Sequence, residues 1–437
     1  MSTRRSGGTL ARHERAVRKS KESIVRFGRT GTLRVVAAIA AAGLVLTACG
    51  SSNDSSNTTT AAATTSAAAP SSEAPTSEAA SSEASSSESM SSEAPTGESS
   101  SSETGSSGSA DMSKAKVGLA YDLGGRGDQS FNDSAARGLD KAKGEGATVV
   151  GELEATANEP DSAKVDRLEQ LASKDANVII GVGFAYAGAI NEVAPKHPDI
   201  AFGIIDDAGN CADSDPSGTL KDLPVKNVAC LTFAEEQGSY LVGMAAALKS
   251  KTGHVGFIGG VDVPLIQKFQ AGFDAGAKAA KADVKIDDKY ISEPPDFSGF
   301  NAPDKGETIA KGMYDGGADV IYAAAGGSGA GVFKAAKAAK TWGIGVDSDQ
   351  YNLPSLADVK DVILTSMVKN VDVAVYDMIS SEASGSPLTG QKVYDLKAGG
   401  VGYATSGGFI DDITSKLDEA KAKIISGEIT VPTTPGS

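Results

Sequence analysis

The stretch 116-KVGLAYDLGGRGDQSFNDSAARGLDKAKGEGATVVGE-152 contains one full unit of the pattern that fills the rest of the chain. Lys116–Tyr121 is a short, nearly continuous apolar run, the texture of a strand covered on both faces. Asp122 to Asn132 is rich in Gly and polar residues and reads as a connection. Ser134–Glu145 carries Ala, Leu, Lys and Glu at helical density, and Ala147–Glu152 opens the next strand. Strand, loop, helix and strand in that order make a βα repeat around a parallel sheet.

Working outward, the same texture recurs. Strands are predicted at Val178–Val182, Ile200–Ile205, Val255–Ile258, Val284–Ile291, Val320–Ala325, Gly343–Val346 and Val362–Thr365. Helices are predicted near Ser162–Ser173, Gly188–Ala194, Glu235–Ser250, Leu265–Ala280, Lys305–Asp315, Gly331–Lys340, Val371–Glu382 and Asp412–Ile425. About four units precede Cys230 and about four follow it, which predicts an α/β chain of two doubly wound halves with a cleft between them. In open parallel sheets ligands sit beyond the carboxyl ends of the strands. The residues just past each run are Asp122, Gly183-Phe184, Asp206-Asp207, Gly259-Gly260, Gly326-Gly327, Asp347-Ser348-Asp349 and Ser366 to Asn370. Carboxylates and glycines dominate them.

Upstream the chain is of another kind. Ten Lys/Arg precede an apolar run, Val35 to Leu46, whose length is that of a signal-peptide core and too short for a membrane span. Leu46-Thr-Ala-Cys49 resembles the lipobox of bacterial lipoproteins, in which the cysteine becomes the acylated N-terminus; an ordinary signal peptide cut elsewhere is the competing reading. Residues 50 to about 112 are Ser, Thr, Ala, Glu and Pro without apolar periodicity, and too little apolar area is present to offset the ordering entropy of ~1–2 kcal/mol per residue. A disordered tether is expected there, spanning on the order of 40–50 Å. Residues 1–48 carry a net +8, so their removal moves the formal charge from −15 to −23. Such a balance disfavours nucleic acid as a partner, because that binding rests on Lys/Arg neutralising phosphates.

Two further cysteines, Cys211 and Cys230, lie in the folded part with eighteen residues between them. A disulfide closing that loop would add about 3 kcal/mol; two buried thiols fit the sequence equally well. Catalytic and metal patterns are missing: no Gly-x-Ser-x-Gly, no His-Glu-x-x-His and no metal-ligand spacing among His13, His197 and His254. No cofactor is expected.

Candidate ligand contacts follow from the strand ends. Ser130, Phe131 and Asn132 stand at the entrance of the first helix, where Ser130 or Asn132 would serve as a cap and Phe131 as a platform for a flat ligand or as core filler. Phe300 offers a second ring in the other half, and rings from opposite halves would sandwich a base. Asp206, Asp347 and Asp349 end apolar strands, placed either to accept hydrogen bonds from ligand donors or to cap helices. Lys369 brings an ammonium to this acidic rim, as a ligand donor or as a surface charge. Gly326-Gly-Ser-Gly-Ala-Gly331 fails the spacing of phosphate-binding loops, so close backbone packing explains it better.

Gly127-Asp-Gln-Ser-Phe-Asn132, Phe202-Gly-Ile-Ile-Asp206, Glu235-Glu-Gln-Gly-Ser-Tyr240, Gly256-Phe-Ile-Gly-Gly260, Ala324-Ala-Gly-Gly327, Gly345-Val-Asp-Ser-Asp-Gln350 and Ser366-Met-Val-Lys369 together resemble the basic membrane lipoproteins, the purine nucleoside receptor group of ABC-importer binding proteins. The likeness runs from about Lys116 to Pro432. It implies a type I periplasmic-binding fold, two lobes joined by a hinge: lobe 1 from 114 to 232 with a return near 367–388, and lobe 2 from 233 to 366 with a C-terminal segment 389–432. It also implies a nucleoside ligand, permease subunits as partners, a lipid anchor at Cys49 on the extracytoplasmic face of the membrane, and no enzymatic role. By matching position Phe131 and Phe300 would stack the base, Asn132 with Asp206 would read its polar edge, and Asp122, Asp347 and Lys369 would hold the ribose. Gly124-Gly-Arg126 and Glu293-Pro-Pro-Asp296 depart from the family pattern at the two loops that carry the rings. Rival readings are a sugar or autoinducer-like ligand on the same fold, a surface interaction protein without a transport role, and an enzyme.

Overall fold

The computed structural model describes residues 110–211 and 226–436. The expected signal peptide, Cys49 and nearly all of the linker lie outside them. The end of that linker is already part of the folded body: a 3-10 turn at Met112–Lys114 buries Met112 in the core.

The first lobe is built from β1 (Lys116–Tyr121), α1 (Phe131–Gly144), β2 (Thr148–Glu154), α2 (Asp161–Ala172), β3 (Val178–Gly181), α3 (Ala187–Val193), β4 (Ala201–Ile205) and β5 (Val228–Phe233). The second follows with α4 (Glu235–Lys249), β6 (His254–Val261), α5 (Pro264–Ala280), β7 (Lys285–Ser292), α6 (Pro303–Asp315), β8 (Val320–Ala324), α7 (Gly329–Ala339), β9 (Trp342–Asp347) and β10 (Ile363–Lys369). The chain closes with α8 (Val371–Ala383), β11 (Gly390–Tyr394), β12 (Val401–Tyr403) and α9 (Thr414–Ser426). Among the described residues two six-stranded sheets result, ordered β11-β5-β4-β3-β1-β2 and β12-β10-β9-β8-β6-β7. All pairings are parallel except β10 with β12. This is the α/β architecture of two doubly wound halves that the strand–helix texture predicts.

β3, β4, β5, β6 and β8 are buried along their whole length, which is why they read as unbroken apolar runs, while β2 and β7 at the sheet edges are only half-buried. Helices pack where glycine removes the side chain. A Cβ on Gly276 would strike the Tyr240 carbonyl, which brings α5 against α4, and one on Gly331 would strike the Pro303 carbonyl, which does the same for α7 and α6. The predicted helices all occur, but three strands escape sequence reading. β5 is a short apolar strand, β11 is a polar edge strand, and β12 is a three-residue strand.

The chain passes between the lobes three times: from β5 to α4, from β10 to α8, which packs on α1 and β4, and from β11 to β12. The return to the first sheet therefore reaches Tyr394, past the expected limit of 388, because β11 pairs with β5. Backbone bonds hold the passages together: Ala234 N–H donates to the Tyr394 carbonyl at 3.1 Å and Asn370 N–H to the Gly400 carbonyl at 2.9 Å.

Candidate functional site

A cleft of about 600 Å³, part of it open to solvent, lies between the lobes at the carboxyl ends of β1, β3, β4, β8, β9 and β10. Asp122, Phe131, Asn132, Asp206, Phe300, Asp347 and Lys369, the seven residues singled out from sequence, all line it. Topology explains the convergence. In each sheet the order reverses beside the first strand of the lobe, and loops splay apart at that point to leave a crevice.

In the first lobe the connection after β1 is shaped by Asp128. Its carboxylate accepts from the backbone N–H of Ser130 (2.9 Å), Asn132 (2.8 Å) and Asp133 (3.0 Å), so Asp128 caps α1, rather than Ser130 or Asn132. Asn132 ties the loop from inside: its Oδ1 accepts from Asp122 N–H at 3.0 Å, and its Nδ2 donates to the Leu123 carbonyl (3.3 Å) and to Asp128 Oδ2 (3.0 Å). Both amide hydrogens are thus used within the loop, which leaves an acceptor lone pair for the cavity. Asp122 accepts from Leu123 N–H at 2.7 Å, and burial pushes its carboxyl up to about 6. Gly183, at φ 102°, has to be glycine because a Cβ there would meet the Asp122 carboxylate.

In the second lobe Phe300 lies in a 3-10 turn, Ser298–Phe300, with its ring against the backbone of Gly260, where a Cβ would collide with it. That contact accounts for Gly260 near the end of β6, as the Tyr290 ring accounts for Gly259 and close packing against the Phe300 carbonyl for Gly326. Asp347 ends β9 in the left-handed region, φ 63°, and accepts from Ser130 Oγ across the cleft at 2.5 Å; burial raises its carboxyl to about 6. Asp349 does not reach the cavity. Its Oδ2 accepts from Asn352 Nδ2 (2.8 Å) and Ser406 Oγ (2.5 Å).

Lys369, at the last position of β10, is 1 % exposed. Its Nζ lies 2.6 Å from Asp206 Oδ2 and 3.2 Å from Glu235 Oε1, and within 5.4 Å of the ring centroids of Phe131, Phe233 and Phe269. Burial works against the ammonium, yet Asp206, Glu235 and Asp347 hold it well above its ordinary range. Burial likewise raises Asp206, against the pull of Lys369. Asp206 Oδ1 is buried with no hydrogen-bond partner among the described residues. Asp206 also has a left-handed backbone, φ 69°. The loop that follows it is tethered by a disulfide between Cys211 and Cys230, Cα atoms 6.0 Å apart, which resolves the two readings of that pair.

Sequence reading missed Asp128, Glu235, Phe184 and Phe269 as parts of the site. Phe184 follows Gly183 at the end of β3, a position that a strand-end reading does point to. Phe269 has no such signal, since it lies on α5 and reaches the cavity only through the packing of that helix.

Comparison with known proteins gives this geometry its family. The family described as Bmp, ABC transporter substrate-binding protein PnrA-like, matches residues 114–435. A CD4+ T-cell-stimulating antigen of Listeria monocytogenes is 38% identical over 337 residues, 73% of this chain and 88% of that protein. The ABC transporter nucleoside-binding protein BmpA of Lactococcus lactis subsp. cremoris is 36% identical over 72% of this chain and 89% of its own length. Basic membrane protein A of Borreliella burgdorferi is 32% identical, over 74% and 90%. Among solved structures, an ABC transporter solute-binding protein from Aeropyrum pernix superposes with a TM-score of 0.61 at 27% identity, covering 74% of this chain and 94% of that one. The two-lobed periplasmic-binding architecture is therefore shared, and the chain belongs to the Bmp family of ABC transporter substrate-binding proteins.

Proposed function

We propose that this substrate-binding protein captures a nucleoside, a purine nucleoside by preference, and delivers it to a membrane permease without chemical change. The observation that carries the reading is the presence of Phe131 and Phe300, from opposite lobes, on the wall of one cavity whose carboxylates Asp122 and Asp347 have no ion-pair partner among the described residues. Two rings supply a stacking surface for a base, worth ~1–3 kcal/mol each where such stacking is measured. The orphan Oδ1 of Asp206 accepts from the polar edge of the base, beside the remaining lone pair of Asn132. Asp122 and Asp347 accept from ribose hydroxyls, and a hydrogen of the Lys369 ammonium that Asp206 does not engage donates to the sugar.

Electrostatics narrows the ligand further. Asp206 and Glu235 are balanced by Lys369 and by Lys268, which lies 3.3 Å from Glu235. The carboxylates of Asp122 and Asp347 remain, so a phosphate entering the cavity would meet like charge in a low-dielectric space. A neutral nucleoside meets acceptors instead. The lipidated Cys49 and the Ser/Thr/Ala/Glu/Pro-rich segment after it hold the lobes to the extracytoplasmic face of the membrane. The name of the Lactococcus relative supports the ligand class.

Isothermal titration with adenosine, guanosine, inosine and cytidine tests the reading. Micromolar or tighter binding is expected for at least one of them, weakened about 10- to 100-fold by Phe131→Ala. Silence across the panel would remove the nucleoside assignment.

A further inference from the structure

The lobes are joined across the cleft by hydrogen bonds in which no cavity-facing ligand atom takes part. Gln350 Nε2 donates to the Gln129 carbonyl at 2.6 Å. Ser348 Oγ donates to the Ser130 carbonyl at 3.2 Å and accepts from Arg137 Nη2 at 3.0 Å. Gln129, Ser130 and Arg137 belong to the first lobe; Ser348 and Gln350 follow β9 in the second. Of these five residues none lines the cavity.

The second-lobe side is built for this contact. Gln350 is 2 % exposed, and its Oε1 is held by Val346 N–H at 3.0 Å while its own N–H donates to Ser366 Oγ at 3.2 Å. The amide sits where a Cβ on Gly345 would collide with it, so its outward-facing Nε2 is aimed by packing on every other side. On the facing lobe Gln129 adopts a left-handed backbone, φ 61°, which a non-glycine residue does at an energetic cost, and that conformation turns its carbonyl to the amide. A costly conformation persists where surrounding contacts over-determine it, and the contact across the cleft is one of them.

We infer that Gln350 and Ser348, with Gln129 and Arg137 opposite, form a latch that holds the lobes closed independently of the ligand. When the lobes part, these groups return to water. When they meet, each finds its partner in the other lobe, so closing is favoured before any solute enters. The closed state is consequently a standing fraction of the ligand-free population, and apparent affinity rises with that fraction. The latch residues set how long a captured solute stays, although they touch none of it. The ligand arm of this inference rests on the nucleoside reading; the closure itself does not.

The experiment places nitroxide labels on Lys143→Cys and Lys311→Cys, exposed positions on α1 and α6, and measures the distance between them by pulsed electron resonance. In ligand-free protein a short-distance population is expected that shrinks in Ser348→Ala/Gln350→Ala and, less, in Arg137→Ala, where an exposed side chain is removed and the core is left intact. Nucleoside dissociation from the double variant should be at least about 10-fold faster, the effect of removing three ordinary hydrogen bonds, with association little changed. Identical ligand-free distance distributions in wild type and both variants would overturn the latch. Should no nucleoside alter any distribution while the ligand-free difference persists, the latch is supported and the ligand assignment falls.

Discussion

Asp206 and Asp122 are both carboxylates buried at the ends of strands of one sheet, β4 and β1 with β3 between them, and they are satisfied in opposite ways. Asp206 is locked to the Lys369 ammonium at 2.6 Å, with Glu235 completing a charged centre at the passages between the lobes. Asp122 receives one backbone N–H and no cation among the described residues. The difference separates two uses of buried acid. Around Lys369 the charges neutralise one another and define how β10, α4 and the loop after β4 meet, whereas at Asp122 and Asp347 the acceptor strength is left over for something that enters.

The strongest way to break this comparison is to remove the cation. Lys369→Met leaves Asp206 buried and unpaired and Glu235 with Lys268 alone, and we expect about 3–5 kcal/mol loss of stability in denaturant unfolding. A loss under about 1 kcal/mol would mean that the charged centre does not organise the hinge.

Neutralising the two aspartates one at a time sharpens it. Asp206→Asn should cost about 1.5–3 kcal/mol of stability, since the buried Lys369 ammonium loses its carboxylate counter-charge and keeps only a neutral acceptor. Asp122→Asn should leave stability unchanged or slightly higher, because burial already disfavours its charge, while nucleoside affinity falls about 10-fold by titration. The same profile for both variants would dissolve the distinction.

The smallest effect is on pH dependence. Asp122 and Asp347 are raised to about 6 in the folded protein, above their unfolded range, so the native state binds more protons than the unfolded state between the two values. Ligand-free stability should therefore rise as pH falls from 7 to 5 and decline as pH rises through 6. Carboxylates lowered by pairing, such as Glu159 beside Arg167, lose their contribution only below the ordinary carboxylate range and do not oppose this window. A ligand that donates to Asp122 and Asp347 favours their charged forms, so its affinity should run the other way and weaken below about 6. Thermal unfolding and titration calorimetry from pH 5 to 8 measure both slopes, and slopes of the same sign would contradict the assignment of these carboxylates to the ligand.

Much of this was legible in the chain. Lys116–Tyr121, Val178–Gly181 and Ala201–Ile205 announce buried parallel strands because residues covered on both faces have no polar side to show. Strand ends then point to Asp122, Asp206, Asp347 and Lys369, and the parallel-sheet rule gathers them. Where the reading fell short, the missing information was not local. The edge strand β11 takes its identity from pairing with β5, some 160 residues away, and its own residues are polar. Asp128 and Asn132 have the same composition as any cap; the three-dimensional path of the loop makes one the cap of α1 and the other its internal brace.

The amino-acid order alone determined that this is a two-lobed α/β chain and which side chains stand at its strand ends, because periodicity and burial are written in residue type within a few positions. Only the tertiary structure decided which acid Lys369 neutralises, that Cys211 and Cys230 are bridged, and that Gln350 reaches the other lobe. Those outcomes depend on distances between segments far apart in sequence, and such distances are set by how whole sheets and helices pack.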